Sequence, residues 1–238
     1  MKGGEVVYSL ILKTSDSWNA SKSSEINKLN TDYLFESSNK FGFPVVKSSE
    51  NFSAKDLVPF NLCKSKKKED MDKAVHFFLD DYKFEQLWTR PVKYIELLKS
   101  YEGMISPTFS VWSNQPYALN LFNMYRSRWC TRFFQEFGVN VLVDVRWADE
   151  SSYDYCFSGI ERYSPVIVNT VGTKMLANRK MFIDGFEEML RQIEPSKLYV
   201  YGEYMPLDFS KYFDDVFYYE SFWKKQRDKI KLKKGGSN

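Results

Sequence analysis

Val139-Asn140-Val141-Leu142-Val143-Asp144-Val145, Pro165-Val166-Ile167-Val168-Asn169-Thr170-Val171 and Lys197-Leu198-Tyr199-Val200-Tyr201 are three apolar runs of strand length. Their β-branched and aromatic residues suit a pleated, buried surface. Each run ends in polar or turn residues: Arg146-Trp147-Ala148-Asp149, Gly172, and Gly202-Glu203. Between the second and third, Phe182, Phe186, Met189, Leu190 and Ile193 recur at helical spacing, which predicts a helix from about residue 179 to 193, ended by Pro195. Strands alternating with helices predict an α/β fold, with a mainly parallel sheet and flanking helices, open or partly barrel-like. Ligands of such sheets sit outside the carboxyl ends of the strands, so the polar strand ends mark where a site belongs.

Upstream, Ala118, Phe122, Tyr125, Trp129 and Phe133 form an apolar helical stripe that Gly138 stops, with Ser113 or Asn114 as its cap. A second helix is expected from Pro91 through Tyr94, Leu97, Leu98 and Tyr101, ending at Gly103. Residues 74–82 read as a buried strand that ends in the carboxylate pair Asp80-Asp81. The domain reading is a polar N-terminal extension over residues 1–40, one α/β domain over 41–217, and a basic tail over 218–238.

The chain has 238 residues, 43% of them hydrophobic and 18% aromatic, enough for a sizeable core. No apolar run approaches the roughly 20 residues a membrane helix needs, so no membrane partner is expected. Val6-Val7-Tyr8-Ser9-Leu10-Ile11-Leu12 is short, follows Glu5 and has no small-residue cleavage site, which argues against a signal peptide. Cys63, Cys130 and Cys156 are odd in number and far apart. That spacing disfavours a disulfide framework and a zinc site, and suits a reducing cytoplasm. There is no Walker A sequence, G-x-G-x-x-G or G-x-S-x-G, which disfavours ordinary nucleotide switches and α/β-hydrolases.

Several groups could carry chemistry. The single histidine, His76, shares a strand face with Asp80 and could form an acid/base pair with it, or it is simply packed. Asp144, Asp149, Asp154 and Glu203 stand nearest the strand ends, and two or three of them converging could hold Mg²⁺. No spacing motif supports this, and loop capping or ion pairing is the plainer reading. Asp144 and Arg146, two apart, share a face and could pair. The candidate catalytic set is His76, Asp80, Asp144 and Glu203, and the candidate ligand-binding set is Arg146, Asn169, Arg126 and Arg128; no metal ligand is assigned. Residues 224–234 hold seven cations and one anion. Lys224, Lys225, Arg227, Lys229 and Lys231 could meet phosphate, with Tyr218, Tyr219, Phe222 and Trp223 as stacking surfaces. A solvated tail is the competing reading, as it is for Lys64-Ser65-Lys66-Lys67-Lys68.

His76-Phe77-Phe78-Leu79-Asp80-Asp81-Tyr82-Lys83-Phe84-Glu85, then Trp88, Pro91 and Tyr94, resembles the family called domain of unknown function 4417. So do Ser106-Pro107-Thr108-Phe109-Ser110, Asn123-Met124-Tyr125-Arg126-Ser127-Arg128-Trp129, Asp154-Tyr155-Cys156-Phe157-Ser158-Gly159, Thr170-Val171-Gly172 and Tyr201-Gly202. The resemblance runs in order over about residues 41–203. It implies a protein of bacteriophages or other mobile elements and no particular chemistry. The chain departs from that pattern at Thr108 and Ser158, where the family tends to carry acids. Three roles follow as expectations: action on or near nucleic acid; an enzyme or small-ligand binder using a strand-end crevice; or a phage protein that binds and inhibits a host factor.

Overall fold

The computed structural model describes residue 30 and residues 33–65 and 68–235. The apolar run at 6–12 and most of the expected N-terminal extension lie outside the described residues, as do Lys66 and Lys67 of the basic loop. Seven strands form one sheet: β1 (Leu57–Pro59), β2 (Ala74–His76), β3 (Gly103–Ile105), β4 (Val141–Asp144), β5 (Val166–Asn169), β6 (Leu198–Tyr201) and β7 (Val216–Tyr219). Their spatial order is their order in the chain, and every neighbouring pair is parallel. Seven α-helices accompany them among the described residues: α1 (Phe60–Cys63), α2 (Gln86–Thr89), α3 (Ile95–Lys99), α4 (Tyr117–Glu136), α5 (Tyr153–Cys156), α6 (Leu176–Ile193) and α7 (Phe222–Gly235). The expected α/β class and mainly parallel sheet are both present.

Strand alternation sorts the side chains into two faces. Outward residues pack with the helices: Val75, Met104 and Val141 join Trp129, Phe133 and Leu98, while Val143, Val166, Val168 and Val200 join Phe182, Phe186 and Met189. Inward residues Leu57, Ala74, Ile105, Leu142, Ile167, Tyr199, Tyr201 and Tyr219 form a separate cluster. That inner face is concave. In a flat sheet β2 and β6 stand four strand spacings apart, about 19 Å. Here the His76 ring of β2 lies 5.2 Å from the Tyr201 ring of β6, and Phe78 stacks on Tyr201 at 4.3 Å. The sheet therefore curls into a half-barrel whose mouth is bridged by rings. The segment before β1 closes the inner face, because Tyr199 Oη donates to Phe52 O at 2.8 Å and Tyr219 Oη to Ala54 O at 2.6 Å.

Several boundaries differ from the sequence reading. β2 ends at His76, and Asp80 precedes a 3₁₀ turn over Asp81–Lys83 rather than lying in a strand. The turn is fixed by Asp81, whose carboxylate accepts from Ser110 N at 3.0 Å and Ser110 Oγ at 2.8 Å. Pro91 opens a 3₁₀ turn before α3, and Gly103 begins β3 instead of capping a helix. A Cβ at Gly103 would sit 2.6 Å from Asn140 O, so close strand approach explains the glycine. α4 starts after Pro116 with no side-chain cap; Asn120 instead pairs with the Trp112 backbone at 2.9 Å. Tyr218 and Tyr219, in the expected basic tail, belong to β7, and within that tail a helix follows from Phe222 to Gly235. Phe35, in the expected extension, is buried against Trp129.

Candidate strand-end site

β4 delivers the first element of the site. Leu142 and Asp144 alternate onto the inner face, and Asp144 ends the strand 3% exposed. Its N–H donates to Ser106 Oγ at 2.7 Å. Its Oδ2 accepts from Arg146 Nε at 2.8 Å, the pairing expected for two residues on one face. Its Oδ1 is buried without a partner among the described residues. Burial pushes the Asp144 carboxyl up, and the neighbouring Arg146 and Arg128 guanidiniums oppose that push.

Arg146 is held by the loop after β3 as well. Its Nη1 donates to Thr108 O at 2.7 Å and to Phe109 O at 3.3 Å. Its Nη2 has no partner among the described residues, and the side chain is 23% exposed. Arg146 borders a cleft of about 220 Å³ with Trp112, Asn169, Gly172 and Asn178, at the carboxyl ends of β4 and β5. Asn169 Oδ1 accepts from Val171 N at 2.8 Å, and Asn178 Nδ2 donates to Gly172 O at 3.1 Å. These two bonds fix the floor of the cleft. Trp112, at its rim, is 60% exposed.

The remaining candidates lie elsewhere. His76 is buried on the inner face; its Nδ1 accepts from Phe78 N at 3.2 Å, and Nε2 has no partner among the described residues. Because Nδ1 accepts, the proton belongs on Nε2. Burial, aided by the charge of Lys225, pulls the imidazole down to about 3. Asp80 is exposed and pairs with Lys83 at 2.7 Å, so His76 and Asp80 make no pair. Glu203 accepts from Ser221 Oγ at 2.7 Å and from Arg227 Nη2, and these bonds hold its carboxyl below the usual range. Asp149 caps the turn at Ser151, and Asp154 pairs with Lys40 at 2.6 Å. Among the described residues no three His, Cys, Asp or Glu side chains are gathered as metal ligands.

Arg126 and Arg128 turn into the protein. Arg126 grips both oxygens of Glu85 at 2.7 and 2.9 Å and lies 4.0 Å from the centre of the Phe109 ring. Arg128 is fully buried and donates to Cys156 O at 2.6 Å and Ser158 O at 3.0 Å; burial pulls it down to about 10. On α7, Lys224 pairs with Glu220, Lys225 with Asp56 and Arg227 with Glu203. Lys229 and Lys231 are exposed and make no ion pair among the described residues.

The structure thus brings together Asp144, Arg146 and Asn169, and it adds Trp112 and Asn178. Neither addition stands in a motif. The only signal for Trp112 was a large ring just before the turn-forming run Ser113-Asn114-Gln115-Pro116. Asp56, which anchors α7, was also missed, since a lone acid before a three-residue strand carries no pattern.

The described residues contain no helix long and apolar enough to cross a membrane. No solved structure matches the chain. The "Gene 1 protein" of Mycobacterium phage L5 is 30% identical over 217 residues, covering 90% of this chain and 93% of that protein. The "Gene 1 protein" of Mycobacterium phage D29 is 29% identical over 204 residues, covering 85% and 75% respectively. The model of the family described as domain of unknown function (DUF4417) matches residues 35–220, and with phage relatives aligned along most of its length the chain belongs to that family.

Proposed function

We propose that the protein binds a nucleotide, free or as one unit of a single strand, in the cleft at the carboxyl ends of β4 and β5. The observation that carries this reading is Arg146. Asp144 and the Thr108 and Phe109 carbonyls hold its guanidinium on one side, and Nη2 is left unpartnered beside the cleft. A guanidinium fixed before the ligand arrives loses little entropy on pairing with phosphate. Trp112 at the rim offers a face on which a base could stack. The cleft is smaller than the roughly 300–1,000 Å³ of drug-sized pockets, which suits one ring and its acid group.

The test is equilibrium binding of labelled mononucleotides, a single strand and a duplex across a salt series. Arg146→Gln is expected to weaken mononucleotide binding about tenfold or more. The absence of binding at low salt sinks the reading.

A second reading rests on a different surface. Tyr218 of β7 and Trp223 of α7 are 55% and 64% exposed, and Lys229 and Lys231 farther along α7 are exposed as well. Exposed rings followed by exposed cations suit a single strand bound without regard to sequence. Lys229→Ala with Lys231→Ala should then flatten the salt slope for the strand and leave mononucleotide affinity unchanged.

A further inference from the structure

α7 is attached differently from the other long helices. α4 and α6 bury rings such as Trp129, Phe133 and Phe186 in the core. Of the α7 side chains from Phe222 to Leu232, none is buried. The helix is held at its start by polar contacts: Phe222 N donates to Tyr201 Oη at 2.9 Å, and Ser221 Oγ donates to Glu203 at 2.7 Å. Further along, Arg227 pairs with Glu203 and Lys225 with Asp56. Exposed ion pairs weaken as salt rises, and elements without buried apolar contacts are the first to open.

α7 starts against the ring-bridged mouth of the half-barrel and reaches from there to Asp56. Tyr201, on which the helix starts, lies 5.2 Å from the His76 ring and 4.3 Å from Phe78. Lys225 stands near enough for its charge to act on His76. His76 is 1% exposed, and its Nε2 has no partner among the described residues. A buried imidazole N–H with nothing to receive it costs the closed state free energy, a cost that exposure to water removes.

We propose that α7 is a strap held by Glu203 and Asp56 against the mouth of the half-barrel beside Tyr201, and that anions competing for Arg227 and Lys225 open it and uncover His76 and Tyr201. The proposal stands apart from the nucleotide cleft, since neither Arg146 nor Trp112 takes part.

The single histidine makes the test specific. Diethylpyrocarbonate modifies neutral imidazole, and peptide mass mapping locates the modification at His76. The intact chain is compared at about 0.01 M and about 1 M salt, where the screening length falls from about 30 Å to about 3 Å. Inorganic polyphosphate at low salt is a second opener, and Glu203→Gln with Asp56→Asn a third. In each of the three, modification is expected to rise about tenfold with circular dichroism unchanged. A rate that stays low under all three conditions makes α7 a fixed wall and overturns the proposal. A rate already high in the native chain at low salt overturns it as well. Should the double variant fail to fold, the salt and polyphosphate series on the native chain decides.

Discussion

His76 is held neutral at the mouth of the half-barrel, and that has a thermodynamic consequence. Burial lowers its pKa in the folded chain from 6.5 to about 3. As pH falls below 6.5 the unfolded chain takes up a proton that the folded chain refuses, so stability present at neutral pH is lost on acidification. Between pH 7 and pH 4 this one group should remove about 3 kcal/mol. Urea midpoints of the native chain and of His76→Phe at both pH values isolate the effect. The substitution should shrink the acid loss by that amount, and an unchanged loss would place the acid sensitivity in the carboxylates. Arg146 predicts a dependence of the opposite sign. Burial raises the pKa of Asp144, so its ionisation costs stability as pH rises above the unfolded carboxyl value of about 3.9. Arg146→Gln removes the nearest opposing charge. Its stability deficit should therefore grow from pH 4 to pH 7, and Asp144→Asn in the same background should abolish that growth. A deficit independent of pH would mean that Arg146 acts by packing alone.

α4 shows how far periodicity reads a helix and where it stops. The predicted stripe is right at Trp129 and Phe133, which are buried, and wrong at Ala118 and Phe122, which are exposed. From Asn123 onward the helix lies between two core clusters and buries most of its circumference, with Arg126, Ser127, Arg128 and Thr131 included. Nothing in local sequence marks an arginine as buried, because its partners are carbonyls and carboxylates far along the chain. Cys156 O and Ser158 O for Arg128, and Glu85 for Arg126, are such partners. Arg128→Met should cost about 3 kcal/mol, the expense of leaving two buried carbonyls without donors, measured as a shift in urea midpoint. Arg128→Lys should recover less than half of it, since an ammonium cannot reproduce the fork. A loss within experimental error would mean that solvent reaches those carbonyls. α6 carries a matching constraint at Gly185, where a Cβ would overlap the Trp147 ring. The strands follow the same logic. β4, β5 and β6 were legible as runs of apolar, β-branched and aromatic residues, whereas β1 and β3 are three residues long and β7 reads Val-Phe-Tyr-Tyr with two exposed rings. Short or half-exposed strands are defined by their neighbours in the sheet, and no local pattern announces them.

At the scale of the whole molecule, the order of the strands explains why the gathering of strand-end residues was legible and the contacts of α7 were not. Seven parallel strands in chain order put every carboxyl end at one rim, so the polar residues after β4 and β5 were expected to lie close together, as Asp144, Arg146 and Asn169 do. Curvature is what the sequence does not carry. It sets His76 of β2 against Tyr201 of β6, and it brings the segment before β1 beneath Tyr199 and Tyr219 of the last two strands. A half-barrel leaves a gap between its first and last strands, and α7 reaches across that gap to Asp56. The closure has two unequal parts. The tyrosine hydroxyls donate to buried carbonyls from within the core, while α7 contributes two exposed or half-exposed ion pairs, to Asp56 and Glu203, and one backbone hydrogen bond. Exposed pairs are worth about 0–1 kcal/mol each and such a hydrogen bond about 1 kcal/mol. A chain ending at Glu220 should therefore keep a cooperative unfolding transition and lose at most about 3 kcal/mol, whereas Tyr219→Ala in the full chain should lose about 3–5 kcal/mol. Denaturant unfolding followed by tryptophan fluorescence and far-ultraviolet circular dichroism distinguishes the two. Coincident transitions in the shortened chain assign the integrity of the half-barrel to its inner rings. A broad or split transition would show that the sheet needs α7 to hold its curvature.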